Sequence, residues 1–167
     1  MFDTGTASRP PAMAGPMLSR IWRFAWWLTR DEVKAEALAS RSCIEARRQG
    51  LTMDADSEQA LCETFAVVCT QWYTHFARKQ RLREASAMRA PRSHRANGEA
   101  GALFAQTLEA TQALPDHHRI VILLVLVEGF TEEQAASILG IPVHALVQRL
   151  AQARIEIGRF LLRTQTA

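Results

Sequence analysis

Apolar residues recur along this chain at spacings of three and four. Ile21, Phe24, Ala25 and Leu28 share one face of a helical block over about residues 17–48, with a corner near Arg30 and Asp31 and an end at Gly50. A second stripe, Leu61, Phe65, Val68, Trp72, Phe76 and Ala77, runs through a long helix expected over about 57–83. The same period returns in 103–113, 116–128, 131–139 and 143–162, with Gly129 punctuating the second of these segments. Strand-type alternation and internal repeats are absent, so the pattern predicts an all-α fold.

The longest apolar run, "IVILLVLV" at 120–127, falls far short of the roughly 20 residues that a membrane-spanning helix requires. Its β-branched content would suit a buried strand. Pro115 at a helix-start position and the helical patterns on either side instead predict a helix buried nearly all round. The opening sixteen residues, "MFDTGTASRPPAMAGP", mix Pro, Gly, Ser and Thr without periodicity and read as a flexible tail. "EASAMRAPRSHRANGEAG", 84–101, is nearly free of large apolar residues and reads as a linker. Two small helical domains follow, one over 17–83 and one over 102–167.

A chain of 167 residues with 48% apolar residues has enough material for compact cores. Its net charge of +3 is unevenly placed: residues 71–95 hold seven Lys or Arg against the single Glu84, while 50–70 hold four acids and no base. Such concentration points to a polyanionic partner. Three cysteines are an odd number, and the start is unlike a signal peptide; a disulfide framework is not expected and a reducing cytoplasm fits.

The segment "TEEQAASILGIPVHALVQRLAQAR", 131–154, carries the sharpest local signals. Thr131 and Gln134 have the spacing of a capping box, and Glu132 and Glu133 suit the first turn of a helix. Gly140 supplies the backbone that ends that helix, and Pro142 suits the first turn of a second. Ala135, Ala136 and Leu139 make one apolar face; Val143, Leu146, Val147, Leu150, Ala153 and Ile157 continue it. A small residue at Ala136, a glycine corner and the clamp at Leu146 are the requirements of a helix-turn-helix. The outward face would carry His144, Ala145, Gln148, Arg149 and Gln152, with Gln148 and Arg149 long enough to reach base edges or phosphates in a major groove. An ordinary helical hairpin with a solvated polar face is the plain alternative.

Trp72, Tyr73, His75 and Phe76, followed by Arg78, Lys79, Arg81 and Arg83, combine π faces with cations as single-strand binding demands. Trp72 and Phe76 also lie on the apolar stripe, which favours packing for both. Cys62 and Cys69 lie seven apart near His75, but no fourth ligand accompanies them; buried thiols are expected rather than a metal. His117 and His118 read as surface residues at a helix start. No phosphate loop, catalytic triad or paired carboxylates argue for an enzyme, and no cofactor or small-molecule substrate is expected. The basic, Trp-rich stretch "RIWRFAWWLTR" could lie on a membrane surface, yet Trp22, Phe24, Trp26 and Trp27 surround the helix, so burial against neighbouring helices is preferred over any stable insertion.

The order of these elements resembles a bacterial sigma factor of the extracytoplasmic-function (ECF) group. "LPDHHRIVILLVLVEGFTEEQAASILGIPVHALVQRLAQAR", 114–154, is similar to that family's region 4, which reads the minus-35 promoter element. The shared features are the Leu-Pro start, the Arg before an apolar helix, the Glu-Gly-Phe-Thr-Glu-Glu junction, the paired alanines and the Leu-Gly-Ile-Pro-Val corner. "LSRIWRFAWWLTRD", 18–31, resembles the family's opening helix, and "AEALASRSCIEARR", 35–48, its polymerase-binding helix. "TFAVVCTQWYTHFARKQRLR", 64–83, is similar to the helix that engages the minus-10 element.

The resemblance implies minus-35 contacts by Thr131, His144, Ala145, Gln148, Arg149, Gln152 and Arg154. It implies minus-10 contacts by Trp72, Tyr73, His75, Arg78, Lys79, Arg81 and Arg83, and polymerase contacts by Ala35, Glu36, Leu38, Ser40 and Arg41. The chain departs from the family where Glu-Asp-Leu-Val-Gln-Glu-Thr becomes Glu36 to Ser42, and where Gly-Thr-Val-Lys-Ser-Arg becomes His144 to Arg149. "GLTMDAD" alone stands for the loop that captures a flipped base. The implied function is a cytoplasmic sigma factor that binds core RNA polymerase and promoter DNA and is held by an anti-sigma factor. The alternative is a sigma-like decoy that occupies an anti-sigma factor in a partner-switching response without reading DNA.

Overall fold

A computed structural model of the protein describes residues 15–54, 56–77 and 99–165. The described residues are helical throughout their regular structure and contain no strand. They fall into two compact units that divide between Thr74 and His75.

In the first unit, α1 (Pro16–Thr29) starts with a proline in its first turn, where a missing N–H costs nothing. It ends at Arg30, whose left-handed backbone (φ 51) lets its N–H reach the Trp26 carbonyl. Asp31 then caps α2 (Glu32–Arg48), its Oδ1 accepting from the Lys34 N–H at 3.0 Å. That hydrogen bond, with the Lys34 ammonium beside it, holds the Asp31 carboxyl below the ordinary carboxylate value. Gly50, at φ 75, closes α2 by letting the Leu51 N–H turn back to the Ala46 carbonyl at 2.9 Å. Ser57 caps α3 (Glu58–Gln71), which runs on through a π-helical stretch, Trp72–Ala77.

The expected stripe of α1 is the observed one: Ile21, Phe24, Ala25 and Leu28 are all fully enclosed. Leu38, Ala39 and Ala46 of α2 and Phe65 and Val68 of α3 are buried in the same unit, where the three helices pack on one another and the Phe24 and Phe65 rings stand edge to face at 5.2 Å. Each such apolar side chain contributes about 1.5 to 3 kcal/mol. The tryptophans of α1 correct the sequence expectation of burial: Trp22, Trp26 and Trp27 are only half covered. Trp26 is roofed instead by the Arg30 guanidinium at 3.6 Å, a cation–π contact in which burial lowers the arginine pKa to about 10.

The second unit contains α4 (Glu99–Ala113), α5 (Asp116–Ile122) with its π-helical continuation Leu123–Val127, α6 (Glu132–Leu139) and α7 (Val143–Gln165). Helices α4, α5 and α6 all pack on α7. Ile120, Val121, Ile122, Leu123 and Leu124 are buried, but Leu126 is 55% exposed, so the apolar run is not covered all round. Its end is set by Gly129 at φ 78, past which the Phe130 N–H reaches the Leu124 carbonyl at 3.1 Å.

Two further expectations change here. Helix α4 begins at Glu99, inside the segment expected to be linker, and residues 84–98 of that segment lie outside the described residues. His118 is not a surface residue: it is buried, with Nδ1 3.2 Å from Glu156 Oε2, tying α5 to α7 across 38 positions.

Candidate nucleic-acid interface

Local chemistry builds the corner of the second unit. Thr131 Oγ1 accepts from the Gln134 N–H at 3.2 Å while the Gln134 Oε1 accepts from the Thr131 N–H at 2.8 Å, so the capping box is complete. Gly140 takes φ 62, and the Ile141 N–H turns back to the Ala136 carbonyl at 3.0 Å. Pro142 stands just before α7, its carbonyl accepting from Ala145 and Leu146 at 3.0 and 3.1 Å, rather than inside the first turn. Leu146, Leu150 and Ala153 are the enclosed anchors of α7, facing Ala135, Ala136 and Ile138 of α6 and the apolar face of α5.

Anchoring α7 on Leu146, Leu150 and Ala153 decides what remains outside. His144, Gln148, Gln152 and Arg154 are exposed, as is Thr131 at the start of α6; Ala145 and Arg149 are half covered. Val143 and Val147, expected on the inner stripe, are 41% and 40% exposed. Residues four apart drift by about 40° around a helix, so a stripe containing both these valines and Leu146 is wider than its neighbours can cover. His117, expected only as a surface residue at a helix start, joins this side. It is exposed, its ring lies edge to face on His118 at 4.3 Å, and burial, His118 and the positive charge of Arg149 together hold its pKa below the ordinary value. Only the fold brings His117 near Arg149; no spacing in the sequence signals it.

In the first unit, two of the five expected polymerase contacts are core residues. Ala35 and Leu38 are fully enclosed, because they lie on the side of α2 that packs on α1 and α3. Glu36, Ser40 and Arg41 are exposed. The outer face they share also presents Val33, 77% exposed, Ala37, and Ile44, 68% exposed. The spacing of Val33, Ala37, Ser40 and Ile44 was the available signal, a second apolar arc at helical period. Glu45, on the same helix, accepts from Arg48 at 2.8 and 2.9 Å and from Gln49 at 2.8 Å, which lowers its pKa to about 2.

Of the residues expected to meet single-stranded DNA, Trp72 is 1% exposed and lies in the core, so it offers no face for a base to stack on. Tyr73 and His75 are exposed and Phe76 is half covered. The π-helical turn widens the backbone at this point, a geometry frequent at functional sites. Arg78, Lys79, Arg81 and Arg83 lie outside the described residues. Asp54, in the short loop before α3, accepts from the Asp56 N–H at 3.0 Å.

Cys69 is buried and its thiol is pushed up to about 12, whereas Cys62, expected to be buried, is only half covered. Among the described residues no group of His, Cys, Asp and Glu is placed to hold a metal, and no helix is long and apolar enough to cross a membrane.

Residues 104–157 match the family described as sigma-70, region 4. That match lies wholly within the second unit. Two solved structures share the wider fold. One is the sigma factor RpoE in complex with the anti-sigma factor NepR from Bartonella quintana, 20% identical, with a TM-score of 0.64 over 87% of this chain and 91% of that one. Another is the anti-anti-sigma factor PhyR complexed with NepR from Bartonella quintana, also 20% identical, with a TM-score of 0.57; the likeness covers 87% of this chain and 47% of PhyR. No curated protein matches the chain. The all-α fold is shared with RpoE over 87% of this chain.

Proposed function

We propose that this chain is an ECF-type sigma factor that binds core RNA polymerase through its first unit and sets α7 of its second unit in the major groove of a promoter element. The observation that carries the reading is the helix-turn-helix: a capped α6, a glycine corner and a buried Leu146 leave His144, Gln148, Gln152 and Arg154 of α7 facing outward within a region 4 domain. Thr131, Ala145 and Arg149 border that face. The outer side of α2, with Glu36, Ser40 and Arg41 flanked by Val33 and Ile44, is the surface for polymerase. Tyr73 and His75, with Arg78, Lys79, Arg81 and Arg83 after them, would serve the melted minus-10 strand. The protein performs no bond chemistry; it positions, with phosphate neutralisation setting affinity and base contacts setting the sequence. Its place of work is the cytoplasm, and an anti-sigma factor is its partner, in line with the likeness to RpoE in complex with the anti-sigma factor NepR.

A second reading is favoured by the likeness to PhyR and by Val143 and Val147, which stand exposed where phosphate-binding groups would serve DNA better. In that reading the chain is a sigma-like decoy for an anti-sigma factor. Affinity capture with purified core polymerase, followed by promoter-dependent transcription with the captured complex, tests the choice. A sigma factor gives both signals. Failure to bind polymerase, with retained binding to an anti-sigma factor, overturns the first reading in favour of the second.

A further inference from the structure

The exposed valines of α7 have a chemical consequence that depends on the reading of α7 as a major-groove helix. From Val143 to Gln148 the outward side chains are Val143 (41% exposed), His144, Val147 (40% exposed) and Gln148, continuing one turn later with exposed Ala151 and Gln152. This stretch has no exposed lysine or arginine. Arg149 is half covered and stands near His117 at the start of α5, off the valine line. The opening of α7 therefore lacks the ammonium and guanidinium groups that pair with the two acceptors of guanine, and presents methyl groups and carboxamides instead.

In a major groove those groups have specific counterparts. The C5-methyl of thymine is the one apolar feature on a base edge, and a Gln carboxamide pairs with N6 and N7 of adenine. We propose that Val143 and Val147 read thymine methyl groups and Gln148 reads an adjacent adenine, so that the duplex element recognised by α7 is A·T-rich at its centre. Val143 and Val147 are four residues apart, or about 6 Å along the helix, which matches about two base-pair steps at 3.4 Å. Val143 and Val147 stand in one line along the helix, bordered by the hydrogen-bonding side chains of His144, Gln148 and Gln152, a mixture that suits base edges carrying both methyl groups and polar atoms. The flanks, moreover, are cationic, with Arg149 and Arg154 on α7.

The test uses the full chain bound to core RNA polymerase and a pool of DNA duplexes randomised over one helical turn. Selected duplexes carry A·T pairs at two or three central positions. Replacing each selected thymine by deoxyuridine removes only the methyl group and weakens binding by about fourfold per methyl. In Val147→Ala, a change at an exposed helical position that leaves folding intact, one thymine-to-deoxyuridine replacement no longer matters, while Val147→Ile keeps the sensitivity. Selection of G·C pairs at the centre, or equal affinity for thymine and deoxyuridine duplexes, overturns the assignment while leaving DNA binding by α7 in place. A polymerase complex that selects no duplex sequence overturns both the assignment and the reading of α7 as a major-groove helix.

Discussion

Removal of the Arg119 guanidinium should destabilise one unit and spare the other. Arg119 is 4% exposed; its Nη2 donates to the Gln112 carbonyl at 2.8 Å and the Leu114 carbonyl at 3.0 Å, and its Nη1 lies 3.7 Å from Asp116 Oδ1. These carbonyls close the end of α4 and the turn into α5, where helix carbonyls lack intrahelical partners. Arg119→Ala leaves both acceptors and the Asp116 carboxylate short of a partner and opens a cavity beneath them. A hydrogen bond to a charged group contributes about 1.5 to 3 kcal/mol. The desolvation of the guanidinium, including a buried Nε that meets no acceptor, offsets part of the two. Breaking a buried charged cluster from one side costs about 3 to 5 kcal/mol, a large share of a stability that is typically 5 to 15 kcal/mol. Arg119→Lys, which keeps charge but not the fork, should fall between Ala and the parent.

The distribution of aromatic residues supplies the assay. All four tryptophans, Trp22, Trp26, Trp27 and Trp72, belong to the first unit, so tryptophan emission follows that unit alone, whereas far-ultraviolet circular dichroism follows both. In urea, Arg119→Ala should shift part of the dichroism transition to lower concentration and leave the emission transition in place. A dichroism transition unmoved, or both transitions displaced together, would refute the role assigned to Arg119.

Trp72→Ala should cost about 3 to 5 kcal/mol by emptying the first core, while Tyr73→Ala, at an exposed position, should stay within about 0.5 kcal/mol; emission-monitored urea midpoints check both. Gly140→Ala meets open space but a φ of 62, so it should destabilise the second unit by about 1 kcal/mol through backbone strain alone, with Gly140→Asn milder, as read by dichroism. The lowered pKa of His117 means that protonation favours the unfolded chain, so its contribution to stability is full above the ordinary value of 6.5 and is lost as pH falls from there through the folded value. Duplex phosphate beside His117 reverses that preference: affinity measured by fluorescence anisotropy at fixed salt should rise as pH falls over this window, and His117→Ala should flatten the rise. His118, Arg149, Glu156 and Asp116 face this ring and His144 lies on the outward side of α7, so a rise that persists unchanged in His117→Ala refutes the role assigned to His117.

Caps and corners were legible from the order of residues because each involves atoms within about six residues of one another. Thr131 with Gln134, Gly140 with Ile141 and Ala136, Asp31 with Lys34, and Gly50 with Leu51 and Ala46 stand where local chemistry places them. The all-α fold and the helix-turn-helix follow from those signals together with the helical period. The inward faces did not follow as fully. Helices with two apolar arcs, such as α2 with Leu38 opposite Val33 and Ile44, or α7 with Leu146 beside Val147, leave the choice of buried arc to whichever elements pack on them. Trp72 fits a base or a core equally well by spacing, and burial within the first unit gave it to the core. The meeting of His118 with Glu156, and of His117 with Arg149, joins residues more than thirty positions apart, a proximity that only the packing of α5 on α7 creates.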